Sequence, residues 1–313
     1  MASCIQAPGT SVPSTATPSS KARFRLPPGS WDSHVHVVDE DEYPFDPNYP
    51  YRPKKASLNE LLAFEKELGI DHVCLICMSV YGTDNRSMMA ALRQLKGRAR
   101  AIVCIDPATV TEQELQEMHQ LGARGVRVNL KTRNEQISKD ILAARLLQYA
   151  DKIRHHGWVI QVYLALDQIP LIVDVIPELN IPLVIDHMGS PNQSTRPSDQ
   201  PGYAELLNLL ERKLVWVKIS GIYRFPNTPE LDVYGREIIR KAPTQVVWAS
   251  DWPHSGGVEK NINGNRHLYQ DYRKIDDAAF VEKCLEWCDF DEKIIQLLFV
   301  DNPRRLWKYG IQQ

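Results

Sequence analysis

The sequence predicts a single (β/α)8 barrel, and three observations carry that prediction. Eight short, near-continuously apolar segments alternate with amphipathic ones, the pattern of parallel strands covered by helices. The first of them runs into His34-Val35-His36, two histidines two residues apart, and the last (Q-V-V-W-A-S-D) ends in Asp251 just before Pro253. Two imidazoles and a carboxylate from opposite ends of the chain share a site only if the sheet closes and sets its first strand beside its last.

Residues 1–22 are rich in Ser, Thr and Pro and lack hydrophobic periodicity, so they read as a flexible arm, with 23–313 forming one domain. After the first strand, Pro44, Pro47, Pro50 and Pro53 prevent regular structure across an acidic, aromatic loop. That loop follows a strand's C-terminal end, where barrels build active sites, so Tyr49, Tyr51 and Arg52 are candidates for a substrate wall. Ser57 and Glu60 form a capping box ahead of Leu61, Leu62, Phe64 and Leu68, and Gly69 stops the helix. The alternation continues with a strand ending at Ser79, a helix over 85–96, a strand over 101–105 and a helix capped by Thr111 and Glu114. The fourth strand spans 125–129; a helix over 138–156 buries Leu142, Leu146, Tyr149 and Ile153. Strands five to eight fall at 158–164, 182–187, 214–220 and 245–251, with a helix opening at Thr228-Pro229 before the last and further helices at the C-terminus.

Composition limits the partners. With 43% hydrophobic and 24% charged residues and a net charge of −2, the chain is an ordinary globular protein with no basic signature of nucleic-acid binding. No apolar run approaches a membrane span, and the N-terminal segment has no signal-peptide core, so a cytoplasmic monomer or homodimer acting on a small molecule is expected. Cysteines fall at 4, 74, 77, 104, 284 and 288. Cys74 and Cys77 lie three apart on one strand, on opposite faces, and reduced, packed thiols are expected.

The strand ends deliver polar groups: His34 and His36, Ser79, Arg127 and Asn129, Gln161 and Tyr163, Asp186 and His187, Lys218 and Ser220, and Asp251. One histidine beside a strand is ordinarily a hydrogen-bonded structural residue. Three histidines and an aspartate from three separate strand ends point instead to one shared site. His72, His119, His155, His156 and His267 are assigned to loops or helices as surface or packing residues. No G-x-G-x-x-G or phosphate loop accompanies the strands.

This pattern of His34-x-His36 after strand one, a histidine after strand six and an aspartate after strand eight resembles the amidohydrolase superfamily. Ser79-Val-Tyr-Gly-Thr-Asp-Asn85, Gly125-Val-Arg-Val-Asn129, Ile185-Asp-His-Met-Gly189, Val217-Lys-Ile-Ser-Gly-Ile-Tyr-Arg224 and Trp248-Ala-Ser-Asp-Trp-Pro-His254, in that order, are similar to the 2-pyrone-4,6-dicarboxylate lactonase group. The resemblance covers residues 30–308. It implies that Asp251 takes a proton from the attacking water and that His34, His36 and His187 polarise a lactone carbonyl. It further implies that Arg127, Arg133 and Arg224, with Ser79, Tyr163, Tyr51 and His254, hold substrate carboxylates. The residue types suit the chemistry: donors aimed at a carbonyl oxygen stabilise the charge it gains, and arginine's planar fork matches a carboxylate.

Superfamily metal sites also draw ligands from strands four and five, where this sequence offers Arg127, Asn129, Gln161 and Tyr163. Catalysis without a metal is therefore the favoured expectation. Zinc remains an alternative, held by His34, His36, His187 and Asp251. Two other readings stay open, a metal-dependent decarboxylase of the same superfamily and an inactive barrel that binds a partner.

Overall fold

A computed structural model describes residues 24–131 and 137–310. The arm over 1–22, Cys4 and Arg133 lie outside the described residues. Eight strands form one parallel sheet in chain order: β1 Trp31–Val35, β2 His72–Ile76, β3 Ala99–Val103, β4 Ala123–Asn129, β5 Val159–Tyr163, β6 Leu183–Ile185, β7 Val215–Ile219 and β8 Val246–Trp248. Beyond the end of β8 the chain meets β1 through two main-chain bonds, Asp251 N to His34 O and His36 N to Trp252 O, each 3.0 Å. The barrel thus closes at the residues that carry the first and last predicted site groups.

Local sequence explains the outer helices. α1 (Leu58–Leu68) and α3 (Glu112–Leu121) open on complete capping boxes, Ser57 with Glu60 and Thr111 with Glu114, and bury Leu61 and Leu68 in the first and Leu115 in the second. α2 (Arg86–Leu95) and α4 (Lys139–Ile153) cover the neighbouring strands. Between β5 and β6 the covering layer is thin: a 3-10 stretch, Leu166–Leu171, with Pro170 inside it, and one helical turn, Ile176–Leu179, with Pro177 in its first turn. The helix expected from Thr228 begins instead at Leu231, because Glu230 takes a left-handed φ of 54° and the Thr228 hydroxyl donates to Asn192 O rather than capping.

Inside the sheet, Trp31, Cys74, Ile76, Ile102, Val159, Val184, Trp216 and Val247 fill the N-terminal end of the barrel, and Leu306 and Trp307 plug it from the C-terminal segment. Trp307 is fully buried and donates from Nε1 to Ser33 Oγ at 3.1 Å. Truncating such a side chain to alanine costs about 3–5 kcal/mol. Cys74 belongs to this inner cluster and Cys77 to the layer between sheet and helices, and both are free thiols, as their spacing predicts. His72 is not in a loop or helix: it starts β2, where its ring lies 4.9 Å from Trp31 and 4.5 Å from Tyr309. Among the described residues no helix is long and apolar enough to cross a membrane.

Candidate active site

The barrel interior changes character at the C-terminal ends of its strands, where apolar packing gives way to a buried polar floor. A register irregularity in β1 between Asp32 and Val35 re-aims the strand as it leaves the sheet, and His34 and His36 both enter this floor. Asp251 follows β8 with φ 67°, and His187 follows β6 with φ 51°. Left-handed backbone at non-glycine residues costs about 1–3 kcal/mol each, and such strain concentrates at functional positions. Gly221 is required by close approach: a Cβ there would lie 2.7 Å from His187 Nδ1.

Asp251 organises the floor. Its Oδ2 accepts from Arg224 Nε and from the Tyr223 hydroxyl, both at 2.7 Å. Its Oδ1 has no hydrogen-bond partner and is ringed by imidazoles, with His34 Nε2 at 3.6 Å and His36 Nε2 at 3.7 Å, while His187 Nε2 stands 3.7 Å from Oδ2. Against the desolvation that raises it, Arg224 and the three imidazoles hold the Asp251 carboxyl well below the usual carboxylate range. Burial in turn pushes all three histidines down, His187 to about 4, so the rings are neutral at neutral pH.

Each ring is oriented from behind. His36 Nδ1 donates to Ile76 O at 2.8 Å, which leaves Nε2 with its lone pair in the neutral ring. His187 Nδ1 lies 2.9 Å from Ser220 Oγ. His34 Nδ1 lies 3.3 Å from Asp186 Oδ1 and 3.3 Å from Lys218 Nζ. Lys218 is fully buried, donates to Gln161 Oε1 at 2.6 Å and sits 3.5 Å from Asp186 Oδ1, while Gln161 donates to Asp186 Oδ2 at 2.9 Å. The polar residues of strands five to seven therefore form a second layer beneath the histidines.

Above the floor opens a cavity of about 630 Å³, a size suited to a small molecule. His36, Tyr51, Ser79, Arg127, Tyr163 and Arg224 line it, whereas Tyr49 and Arg52 do not. Arg127 donates from Nη1 to Cys77 O at 3.0 Å, and Ser79 Oγ accepts from Asn129 at 2.7 Å. Two further cations on the wall, Lys131 and Arg273, were not singled out in the sequence because both lie in loops without an apolar strand to mark them. Lys131 donates to Ser190 O at 3.1 Å, and burial lowers its ammonium pKa to about 8. Among the described residues, the wall sets one carboxylate, Glu259, which pairs with Arg273, against these four cations. Its field therefore favours an anionic ligand.

His254 does not join this wall. With φ 69° its ring turns away, and Nε2 lies 3.1 Å from Asp277 Oδ1 in a buried contact, edge-on to Tyr223. Tyr223 is the partner of Asp251 that the sequence reading missed, although it directly precedes Arg224.

The unpartnered atoms of the floor define a donor set for a metal. The ligand atoms of His34, His36 and Asp251 lie within 4.8 Å of one another, and buried His34 Nε2 and Asp251 Oδ1 lack hydrogen bonds, so two imidazoles and a carboxylate fit one divalent ion of the zinc class, while His187 groups with His34 and Asp186. The guanidinium on Asp251 and the Lys218 side chain beside His34 oppose, when charged, the charge such an ion would bring.

Comparison with known proteins agrees with this geometry. The family model described as amidohydrolase matches residues 31–309. The chain is 30% identical to a 4-sulfomuconolactone hydrolase of Hydrogenophaga intermedia, covering 91% of this chain and 90% of that protein. It is also 30% identical to a 2-pyrone-4,6-dicarboxylate hydrolase of Comamonas testosteroni, covering 92% and 93%. A solved structure from Pseudomonas putida, described as a 2-pyrone-4,6-dicarboxylic acid hydrolase, superposes with a TM-score of 0.72 at 29% identity, covering 92% of this chain and all of that one. Fold and site thus define a barrel hydrolase. The chain belongs to the amidohydrolase family.

Proposed function

We propose that this hydrolase opens a carboxylated lactone, of the 2-pyrone-dicarboxylate kind, by attack of a water that Asp251 deprotonates. The observation that carries the reading is the division of labour within one carboxylate: Oδ2 is spent on Arg224 and Tyr223, and Oδ1 is left without a hydrogen bond, facing His34 and His36. Relatives named for lactone hydrolysis support the reaction class.

In this mechanism Arg127 and Arg224, together with Lys131 and the Ser79 hydroxyl, hold the carboxylates and set the ester over the floor. Arg133, Tyr163 and Tyr51 are assigned to the same binding role. With Lys218 donating to Nδ1, the neutral ring of His34 carries its hydrogen on Nε2; with Ser220 donating, so does His187. Both then donate to the carbonyl oxygen as it gains charge, a contribution worth roughly 10²–10³ in rate per donor. His36 presents a lone pair, which suits it to accept one hydrogen of the attacking water while Asp251 Oδ1 takes the other. The tetrahedral intermediate collapses with cleavage of the ring C–O bond, the leaving oxygen takes the proton that Asp251 had accepted, and an open-chain acid results. No step requires a metal. His34, His36 and Asp251 are the residues that would hold zinc, whose chemistry there would be to polarise the carbonyl.

The test is charge recognition. A neutral substrate forgoes the charge-assisted hydrogen bonds that Arg127, Lys131 and Arg224 offer a carboxylate, so methyl esters of the substrate carboxylates are expected to lose at least about 10²-fold in kcat/KM against the free acid. Equal hydrolysis of the esters would remove the carboxylate from the reading.

A further inference from the structure

A second group of ligating side chains lies outside the barrel, remote in sequence from every residue of the floor. Glu112 begins α3, and His155 and His156 form the turn that follows α4. Glu112 Oε1 lies 2.9 Å from His155 Nε2 and 3.1 Å from His156 Nε2, and one ligand atom from each of the three falls within 4.8 Å of the others.

We propose that Glu112, His155 and His156 bind one divalent transition-metal ion of the zinc class, at a site distinct from the catalytic floor. An ordinary ion pair accounts for His155, which meets both oxygens of Glu112, at 2.9 and 3.0 Å. His156 reaches the same Oε1, at 3.1 Å, without making a hydrogen bond. That side chain is only 5% exposed, and its Nε2 is buried. A buried nitrogen lone pair converging with a second imidazole on one carboxylate is the arrangement a cation completes.

The ring is also held in place. His156 packs between His119, at 5.4 Å, and Trp158, at 5.3 Å, and Trp158 Nε1 donates to His119 Nδ1 at 2.8 Å. This aromatic wall fixes the direction of His156 Nε2 before any ion arrives, in the way a second shell orients metal ligands. Glu112 and His155 are 63% and 53% exposed, so the ion enters from solvent and keeps water in its remaining positions. Bound there, it ties the start of α3 to the exit of α4.

The experiment is equilibrium dialysis of the full chain against micromolar zinc, with bound metal counted per chain, for the wild type, Glu112→Gln and His155→Gln. Both substituted positions are exposed, and neither touches the floor or the cavity. Each variant is expected to hold one zinc ion fewer than the wild type while lactone turnover is unchanged, and zinc should raise the thermal midpoint of the wild type but not of Glu112→Gln. An ion bound only at the catalytic floor is indifferent to both substitutions. Equal zinc content in the wild type and Glu112→Gln would therefore overturn the proposal.

Discussion

The Nε of Arg224 donates to Oδ2 of Asp251 across 2.7 Å, so a guanidinium on the cavity wall also grips the carboxylate beneath it. In the proposed mechanism this couples substrate binding to base strength. Arg224 contributes to holding the Asp251 carboxyl low, and activity needs that carboxyl ionised, so the acid limb of the pH–rate profile is expected well below neutrality. In Arg224→Gln the positive charge is gone, the Asp251 pKa rises, and the acid limb of kcat should move to higher pH. KM should rise as well, by roughly 10- to 100-fold, for the lost charge-assisted hydrogen bond. Steady-state kinetics across pH check both; an unmoved acid limb would uncouple the pair.

A second prediction concerns stability. Glu65 of α1 is buried, neither of its carboxyl oxygens has a hydrogen-bond partner, and burial followed by the charges of Asp32 and Asp277 pushes its pKa well above the usual carboxylate value. A folded-state pKa above the unfolded one means that its contribution to stability is fully present below the unfolded value and is lost as pH rises through the folded one. Glu65→Gln keeps the shape and cannot ionise. The variant should therefore gain stability over the wild type as pH is raised from 5 to 8, by roughly 1–3 kcal/mol at the upper end. Urea unfolding at the two pH values measures it, and a variant less stable by the same amount at both would contradict the account.

A third prediction concerns metal. Because Arg224, and Lys218 when charged, already place positive charge beside the floor carboxylates, turnover is expected to survive prolonged dialysis against a chelator. Activity lost on chelation and restored by zinc would assign the carbonyl polarisation to a metal on His34, His36 and Asp251.

Much of the fold was legible because parallel strands buried on both faces write themselves as apolar runs, and because Ser57–Glu60 and Thr111–Glu114 mark helix starts by local chemistry alone. Polar residues at the ends of those runs stand out for the same reason, which is why His34, His36, His187, Arg127 and Asp251 could be named. What stayed hidden depends on long-range contact. Lys131 and Arg273 reach the cavity from loops, the Trp307 plug meets Ser33 across almost the whole chain, and the turn of His254 toward Asp277 follows from a backbone angle rather than from residue type. The late start of the helix at Leu231 has a similar origin, since Thr228 spends its hydroxyl on Asn192 O.

The central claim is that Asp251 Oδ1 is the proton acceptor. Asp251→Asn preserves the size of the side chain and its contact with Tyr223 and Arg224 while removing the basic oxygen, so the protein should fold and still bind the dicarboxylate through its cations. Turnover, followed by loss of the pyrone absorbance with binding measured in parallel by calorimetry, is predicted to fall by roughly 10²–10⁴ at unchanged affinity within a few fold. Near-normal turnover in Asp251→Asn would contradict the account.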